Sequence, residues 1–250
     1  MSFARAQRIP LTLFAIGRDL EDDQAADAVR RAAEDGARVE NHSWAHRYDL
    51  SRLSAGRIDE EIERASAVIA RVTGRNPRGF RAPGYVTSKA LMAGVRRSGL
   101  VFDASPLPCP AYYVAKLAAM AAIRIRGRHT RAVVGSAAAQ LGPRQPHRVG
   151  DLVSIPMAVT RRLRLPVIGT TLALFGARLI RGCLGDPVIS LELHGIDLLD
   201  ASDDLADLAP HQWDLRVPRD EKLAAFAEAI ALLRSAGYAF VPLEDVEPAR

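Results

Sequence analysis

Cysteine is almost absent: Cys109 and Cys183 are the only two in 250 residues, far apart and without CxxC or other metal-type spacing. That excludes a disulfide-dense secreted scaffold, and both read as ordinary buried thiols. Aromatics are scarce, at 6%. The one local basic cluster, Arg124, Arg126, Arg128 and Arg131, has none interleaved, and no helix-turn-helix or zinc-finger pattern accompanies it. The sequence therefore implies no nucleic-acid partner. Long apolar runs are missing as well. A membrane helix needs roughly 20 residues, whereas the best candidates, Ala111–Ile123 and Thr170–Ile180, are interrupted by Lys116 and Arg178. The stretch Leu11–Ile16 is too short for the core of a signal peptide and no small-residue cleavage site follows it, so the start reads as mature chain without a signal peptide or transmembrane helix.

What is present fits a globular α/β protein. Hydrophobic residues make up 48% and charged residues 25%, and Lys+Arg 34 against Asp+Glu 29 leaves a net charge of +5. Short apolar runs (Leu11–Ile16, Ala37–Glu40, Gly79–Phe80, Leu100–Phe102, Leu152–Pro156, Val188–Leu193, Tyr238–Pro242) read as strands. They alternate with helical patterns over Asp22–Asp35, Arg57–Val72, Ser88–Ser98, Thr170–Cys183 and Asp220–Ala236. Strand-helix-strand repetition predicts a parallel sheet covered by helices. The chain is expected to be a single domain, 1–250, with an insertion at about 105–150 that contains an apolar helix, Ala111–Ile123.

Three polar segments sit at expected strand ends, where parallel α/β folds bind ligands. His42 and His46 are spaced i and i+4, so on a helix they would share one face and could share a metal ion. Arg81-Ala82-Pro83-Gly84-Tyr85 joins a rigid Pro to a permissive Gly, which suits either a plain turn or exposed amides facing a cleft. His194, followed by Gly195, ends the Val188–Leu193 run; a lone histidine there is ordinarily structural. Trp44 reads as a packing residue.

In this order the segments resemble the polysaccharide deacetylase family, also called the NodB-homology or carbohydrate esterase four family. Thr12-Leu13-Phe14-Ala15-Ile16-Gly17 is similar to the family's T-F-F-x-x-G strand. Gly36–His46 resembles G-H-E-I-G-N-H-[ST]-x-x-H, Phe80–Tyr85 resembles F-R-P-P-Y-G, and Leu191-Glu192-Leu193-His194 resembles the late L-x-H. The resemblance implies a distorted (β/α)7 barrel and a divalent metal, most often zinc. The implied reaction is metal-dependent hydrolysis that removes an N-acyl group, acetyl or formyl, from an amino sugar in a polysaccharide or glycolipid. His42 and His46 would be metal ligands, His194 the general acid, Arg81 the residue orienting the catalytic carboxylate, and the amides of Gly84 or Tyr85 the oxyanion donors.

The family's T-F-D-D-G strand, which supplies a general base and a third ligand, has no counterpart, so the barrel is expected to lack its first strand. A start upstream of Met1 would account for this. It also leaves Leu11–Ile16 and Tyr238–Pro242 as expected sheet edges. Asp22 and Asp23 lie past the first run and do not substitute. Glu192 shares a strand face with His194 and is expected to pair with an arginine; Asp103 is expected either to balance Arg81 or to cap a turn. The alternative function is a non-catalytic sugar- or lipid-binding barrel derived from a deacetylase. The helix Ala111–Ile123 with its basic end, and Thr170–Cys183, either pack onto the barrel, the simpler expectation, or touch a membrane peripherally. The second reading fits a glycolipid substrate and a cytoplasmic or inner-membrane-associated location. The sequence leaves the sugar, the metal and the oligomeric state open.

Overall fold

The computed structural model describes residues 1–248. Their contacts group into two compact units: one comprises Met1, 9–156 and 241 onward, the other 2–8 and 157–240.

The first unit is built on a six-stranded sheet of β1 (Thr12–Ala15), β2 (Arg38–Asn41), β3 (Gly79–Phe80), β4 (Phe102–Asp103), β5 (His147–Val149) and β6 (Leu152–Ser154). The order is β1-β2-β3-β4-β6-β5. All pairings from β1 to β6 are parallel, and β5 alone is antiparallel, as a hairpin with β6. The parallel α/β architecture expected from the alternating pattern is therefore present. Among the described residues the ladder is open, with β1 and β5 as its edges. The expected edge at Leu11–Ile16 is borne out.

Local chemistry sets where each crossover starts and stops. Helix α2 (Asp23–Glu34) begins at Asp22, whose carboxylate accepts the Ala25 N–H at 2.9 Å. This is an N-cap role, which uses Asp22 structurally. Helix α3 (Ala55–Thr73) buries Ile58, Ile62, Ala65, Ile69 and Val72 along one stripe and ends at Gly74, whose φ of 71° is left-handed. Helix α4 (Lys89–Arg97) is capped by the Ser88 hydroxyl, which accepts the Leu91 N–H at 3.1 Å. The sheet is tight where β3 meets β4: a Cβ on Gly79 would lie 2.0 Å from the Phe102 ring, so only glycine fits.

The segment 105–150 holds α5 (Pro110–Ile125), α6 (Ala137–Gln140) and the unforeseen β5. The expectation that its apolar helix packs as core is not met. Tyr113 is the buried residue of α5, while Val114, Leu117 and Ile125 are 65%, 51% and 86% exposed.

The second unit gathers α1 (Ser2–Ala6), α7 (Gly169–Phe175), α8 (Arg178–Arg181) and α9 (Arg219–Ser235) around Val167, Leu172, Ile180, Phe226 and Leu233. The helix expected over Thr170–Cys183 breaks in two at Gly176 (φ 72°, ψ −179°), a conformation closed to helix. Val188–Leu193 and Tyr238–Pro242 are not strands. Around Glu192 the pairing is a single bridge to Ile168, because the partner run turns into α7 one residue later. Tyr238 is held instead by its hydroxyl, which donates to the Asp186 carbonyl at 2.7 Å and accepts the Gly185 N–H at 3.0 Å.

This unit also buries an ion pair. Lys222 Nζ donates to Asp214 at 2.9 Å and to the Leu199 carbonyl at 2.7 Å, with both charged side chains fully buried. Removing one member strands the other in low dielectric. Asp214→Ala should therefore lower unfolding stability by about 3–5 kcal/mol, read from urea unfolding monitored by circular dichroism. The apolar double replacement Asp214→Leu/Lys222→Met should cost clearly less, and equal losses would refute a desolvation origin.

Candidate active site

The carboxyl ends of β2, β3 and β4 place three of the sequence-selected residues side by side. His42 follows β2, Arg81 follows β3, and Asp103 ends β4. The ladder continues just past the strands: His42 N–H donates to Ala15 O at 3.0 Å, Arg81 N–H to Asn41 O at 3.0 Å and Ala104 N–H to Phe80 O at 2.8 Å.

His42 and His46 are brought together, but not by a helix. Residues 42–47 are loop, with left-handed backbone at Ser43 (φ 64°) and His46 (φ 50°). The side chains hold that loop in shape. Asn41 Oδ1 accepts the Ser43 N–H at 2.8 Å while its Nδ2 donates to Ile62 O at 2.8 Å and to Ser66 Oγ at 2.9 Å. Ser43 Oγ accepts the His46 N–H at 3.1 Å, and Glu61 accepts the Ala45 N–H at 2.9 Å. The result is a pair of imidazoles with ring centres 4.7 Å apart and inclined at 66°. His42 Nδ1 lies 2.7 Å from the Arg81 carbonyl. A carbonyl only accepts, so Nδ1 carries the proton and Nε2 keeps the ring's lone pair. This second-sphere bond orients a ligating histidine.

Arg81 is buried. Its guanidinium lies 4.2 Å above the Phe14 ring and its Nε donates to Ala104 O at 3.0 Å. Asp103 resolves its two expected roles in one place. Ser105 donates to its carboxylate through the backbone N–H at 3.1 Å and through the hydroxyl, so it organises a turn, while the charge of Arg81 acts on it through space. Burial pushes its carboxyl up to about 6, against the lowering effect of the Ser105 hydrogen bonds and then of Arg81. Ser105 Oγ in turn accepts the Ala82 N–H at 2.7 Å, which links β4 to the Arg81–Tyr85 turn.

In that turn the Tyr85 N–H is spent on Ala82 O at 3.1 Å, so Tyr85 is not an available oxyanion donor. Gly84 has φ 64°, and a Cβ there would lie 2.7 Å from the Tyr48 ring. Its carbonyl accepts from Lys116 Nζ at 3.0 Å, and burial lowers the pKa of that amine. Tyr48, Ser105 and Lys116 were missed by sequence reasoning, because the turn residues they meet, Gly84 and Ala82, are 23 to 36 positions away in the chain. His194 belongs to the second unit, where its Nε2 lies 3.3 Å from Glu192 and its Nδ1 3.8 Å from Asp197. Glu192 is buried and reaches the His194 ring.

Two imidazoles are a partial donor set. Among the described residues no group of three or more His, Cys, Asp or Glu could hold a metal ion. The site as it stands therefore does not complete a tetrahedral zinc shell, which takes at least three protein ligands.

Asp103 generates a test. Its carboxyl is raised in the fold, so its favourable contribution is complete below the unfolded value near 4 and is lost as pH rises through about 6. Relative to wild type, Asp103→Asn should gain about 3 kcal/mol between pH 4 and pH 7, from two units at 1.36 kcal/mol each. Urea unfolding of both proteins at the two pH values measures this; parallel profiles would contradict it.

Residues 2–103 match the family model described as polysaccharide deacetylase. No curated protein matches the chain. Among solved structures, the chain is similar to the Xyl-CE4 domain of a multidomain xylanase from the hindgut metagenome of Trinervitermes trinervoides, at 14% identity and a TM-score of 0.53, covering 98% of this chain and 79% of that one. A family 4 acetyl xylan esterase from Clostridium thermocellum, in complex with a cobalt ion, gives 16% identity and 0.52, with 98% and 80% covered. A CE4 family pseudoenzyme from Bacillus anthracis gives 12% and 0.53, with 98% of this chain but 57% of that one. At these identities the likeness establishes the α/β fold. The family model thus covers the residues that hold three of the four deacetylase-like motifs, Thr12–Gly17, Gly36–His46 and Phe80–Tyr85, and the fold is similar to that of the carbohydrate esterase family 4 structures.

Proposed function

We propose that this chain is a carbohydrate N-deacetylase-like hydrolase that removes an acetyl or formyl group from an amino sugar. The single observation that supports this most is the fixed tautomer of His42, whose Nδ1–H is tied to the Arg81 carbonyl at 2.7 Å in a ring centred 4.7 Å from that of His46. That arrangement suits metal ligation, and a surface histidine pair has no need of it. His42 and His46 would hold a divalent metal, zinc in this reading, which when bound would supply a Lewis acid toward the acyl carbonyl. Within this proposal Arg81 positions the acidic group at Asp103, the Gly84 amide faces the oxyanion, and His194, oriented by Glu192 and Asp197, gives the proton to the leaving amine. The reading takes 1–250 as one domain with the segment near 105–150 inserted. The alternative, a non-catalytic sugar- or lipid-binding derivative, is favoured by the incomplete donor set.

Zinc titration and hydrolysis of N-acetylated and N-formylated amino sugars separate the two. The enzyme reading expects saturable zinc binding that falls at least tenfold in His42→Ala and in His46→Ala, with amide hydrolysis falling in parallel. Zinc binding without hydrolysis, or neither, would support the non-catalytic reading.

We also place the protein at an anionic membrane face. No described helix is long and apolar enough to cross a membrane. Along α5, however, Val114, Leu117, Ala121 and Ile125 fall at helical spacing on one exposed stripe. From 104 to 150 the sequence has seven Lys and Arg and no Asp or Glu. An exposed apolar stripe in an acid-free basic segment suits peripheral binding to anionic lipid. Flotation with phosphatidylglycerol vesicles should carry wild type upward, and Leu117→Glu/Ile125→Glu should stay in the dense fraction. Equal flotation of the two would remove α5 from the contact.

A further inference from the structure

Next to the histidine loop is a second feature that the deacetylase reading leaves unused. A cavity of about 330 Å³ opens on the first unit, with Trp44 and Ala45 of the His42–His46 loop in its wall. Its rim carries Arg18, Arg47, Arg57, Arg64 and Arg131. The opposing charges in the lining are Glu60 and Glu61. The lining thus holds five guanidiniums and two carboxylates, and Asp49 and Glu21, outside it, pair with two of the five.

The pairing pattern shows which arginines are already satisfied. Arg47 makes a two-point contact with Asp49 at 3.0 Å, Arg57 reaches Glu60 at 2.6 Å, and Arg64 reaches Glu21 at 3.4 Å. Glu61 is engaged by the Ala45 N–H. Arg18 and Arg131 have no carboxylate within 4 Å among the described residues, and Arg131 acts on Asp49 only through its field. Arg64 is stacked on the Trp44 ring at 3.6 Å, which holds its planar fork against the cavity wall. Several guanidinium forks lining a concavity of this size match the several acceptor oxygens of a phosphoryl group better than one carboxylate.

We propose that this cavity binds a phosphate ester or diphosphate, with Arg18 and Arg131 as its principal donors and Arg64 as a fixed third. Because Ala45, in the cavity wall, directly precedes His46 in the chain, the inference deepens the hydrolase reading and rests on it for one point: the substrate is an N-acyl amino sugar that also carries a phosphoryl group. The phosphoryl chemistry is shared by a soluble sugar phosphate and by a lipid phosphate headgroup.

Calorimetric titration of the full chain with inorganic pyrophosphate at constant ionic strength tests the site. Saturable one-to-one binding is expected, weakened at least tenfold in Arg18→Ala/Arg131→Ala. Arg30→Ala, on the exposed face of α2, should bind as wild type. Absence of saturable binding, or equal binding by the double variant and wild type, would overturn the proposal. Circular dichroism of each variant guards against misfolding, and the single variants Arg18→Ala and Arg131→Ala give the same readout should the double variant fail to fold. His42→Gln separates this inference from the hydrolase reading, since it should abolish zinc binding and leave pyrophosphate binding within twofold. Titration with N-acetylglucosamine 1-phosphate and with short-chain phosphatidic acid then assigns the source, the tighter ligand marking a soluble sugar phosphate or a lipid headgroup.

Discussion

The bond from His42 to the Arg81 carbonyl is the contact on which the site depends. It joins two parallel strands at their carboxyl ends, and it exists because Asn41 and Phe80 are paired in register. A slip of one residue in β2 would turn His42 to the other face of the sheet and leave the carbonyl without its donor. The same register sets Arg81 over Phe14 and carries its Nε to the Ala104 carbonyl. Strand pairing and side-chain chemistry are therefore one constraint here.

The loop after β2 shows how the fold sustains an unfavourable backbone. Ser43 and His46 both adopt positive φ, which L-residues avoid. Asn41, Ser43 and Glu61 offset the cost by accepting backbone N–H groups that the turn would otherwise leave buried. Glu61 comes from α3, the helix whose apolar stripe packs on the sheet, so core packing fixes the loop that carries the imidazoles. The arginine-lined cavity lies on the outer side of this same loop.

Helices α2, α3, α4 and α9 and the parallel strands through β6 were legible in the sequence, because each has a cap, a stripe or a short apolar run bounded by turn residues. The proximity of His42 and His46 was legible for a different reason than the true one: the i, i+4 spacing suggested a helix, while two left-handed residues do the bending. Val188–Leu193 and Tyr238–Pro242 misled, since extended sequence becomes strand only against a continuous partner, and periodicity does not reveal one. The exposure of α5 was also illegible. An apolar helix is normally read as core, and nothing local tells whether another element covers it. The contact of Glu192 with His194, two residues on, was legible from their shared strand face.

Glu40 poses the sharpest question for the site, being a buried carboxylate two residues from His42 in a chain short of a metal-binding acid. Its Oε2 accepts the Arg78 N–H at 2.6 Å and the Gly79 N–H at 2.5 Å, the amides at which β3 begins. Burial raises its pKa, and the two amides oppose that effect. The neighbouring charges are Glu244 and the arginines 38, 75 and 78, which gather around Glu244 at the amino ends of the strands. Glu40, third of the four residues of β2, is spent on the amides that open β3, while Glu244 gathers arginines where β2 and β3 start and the imidazoles stand where β2 stops. To reach His42, Glu40 would have to give up two short backbone hydrogen bonds in the interior, at about 1–3 kcal/mol for each donor left unsatisfied. It is therefore committed to the fold, and it cannot supply the carboxylate that a complete metal shell requires.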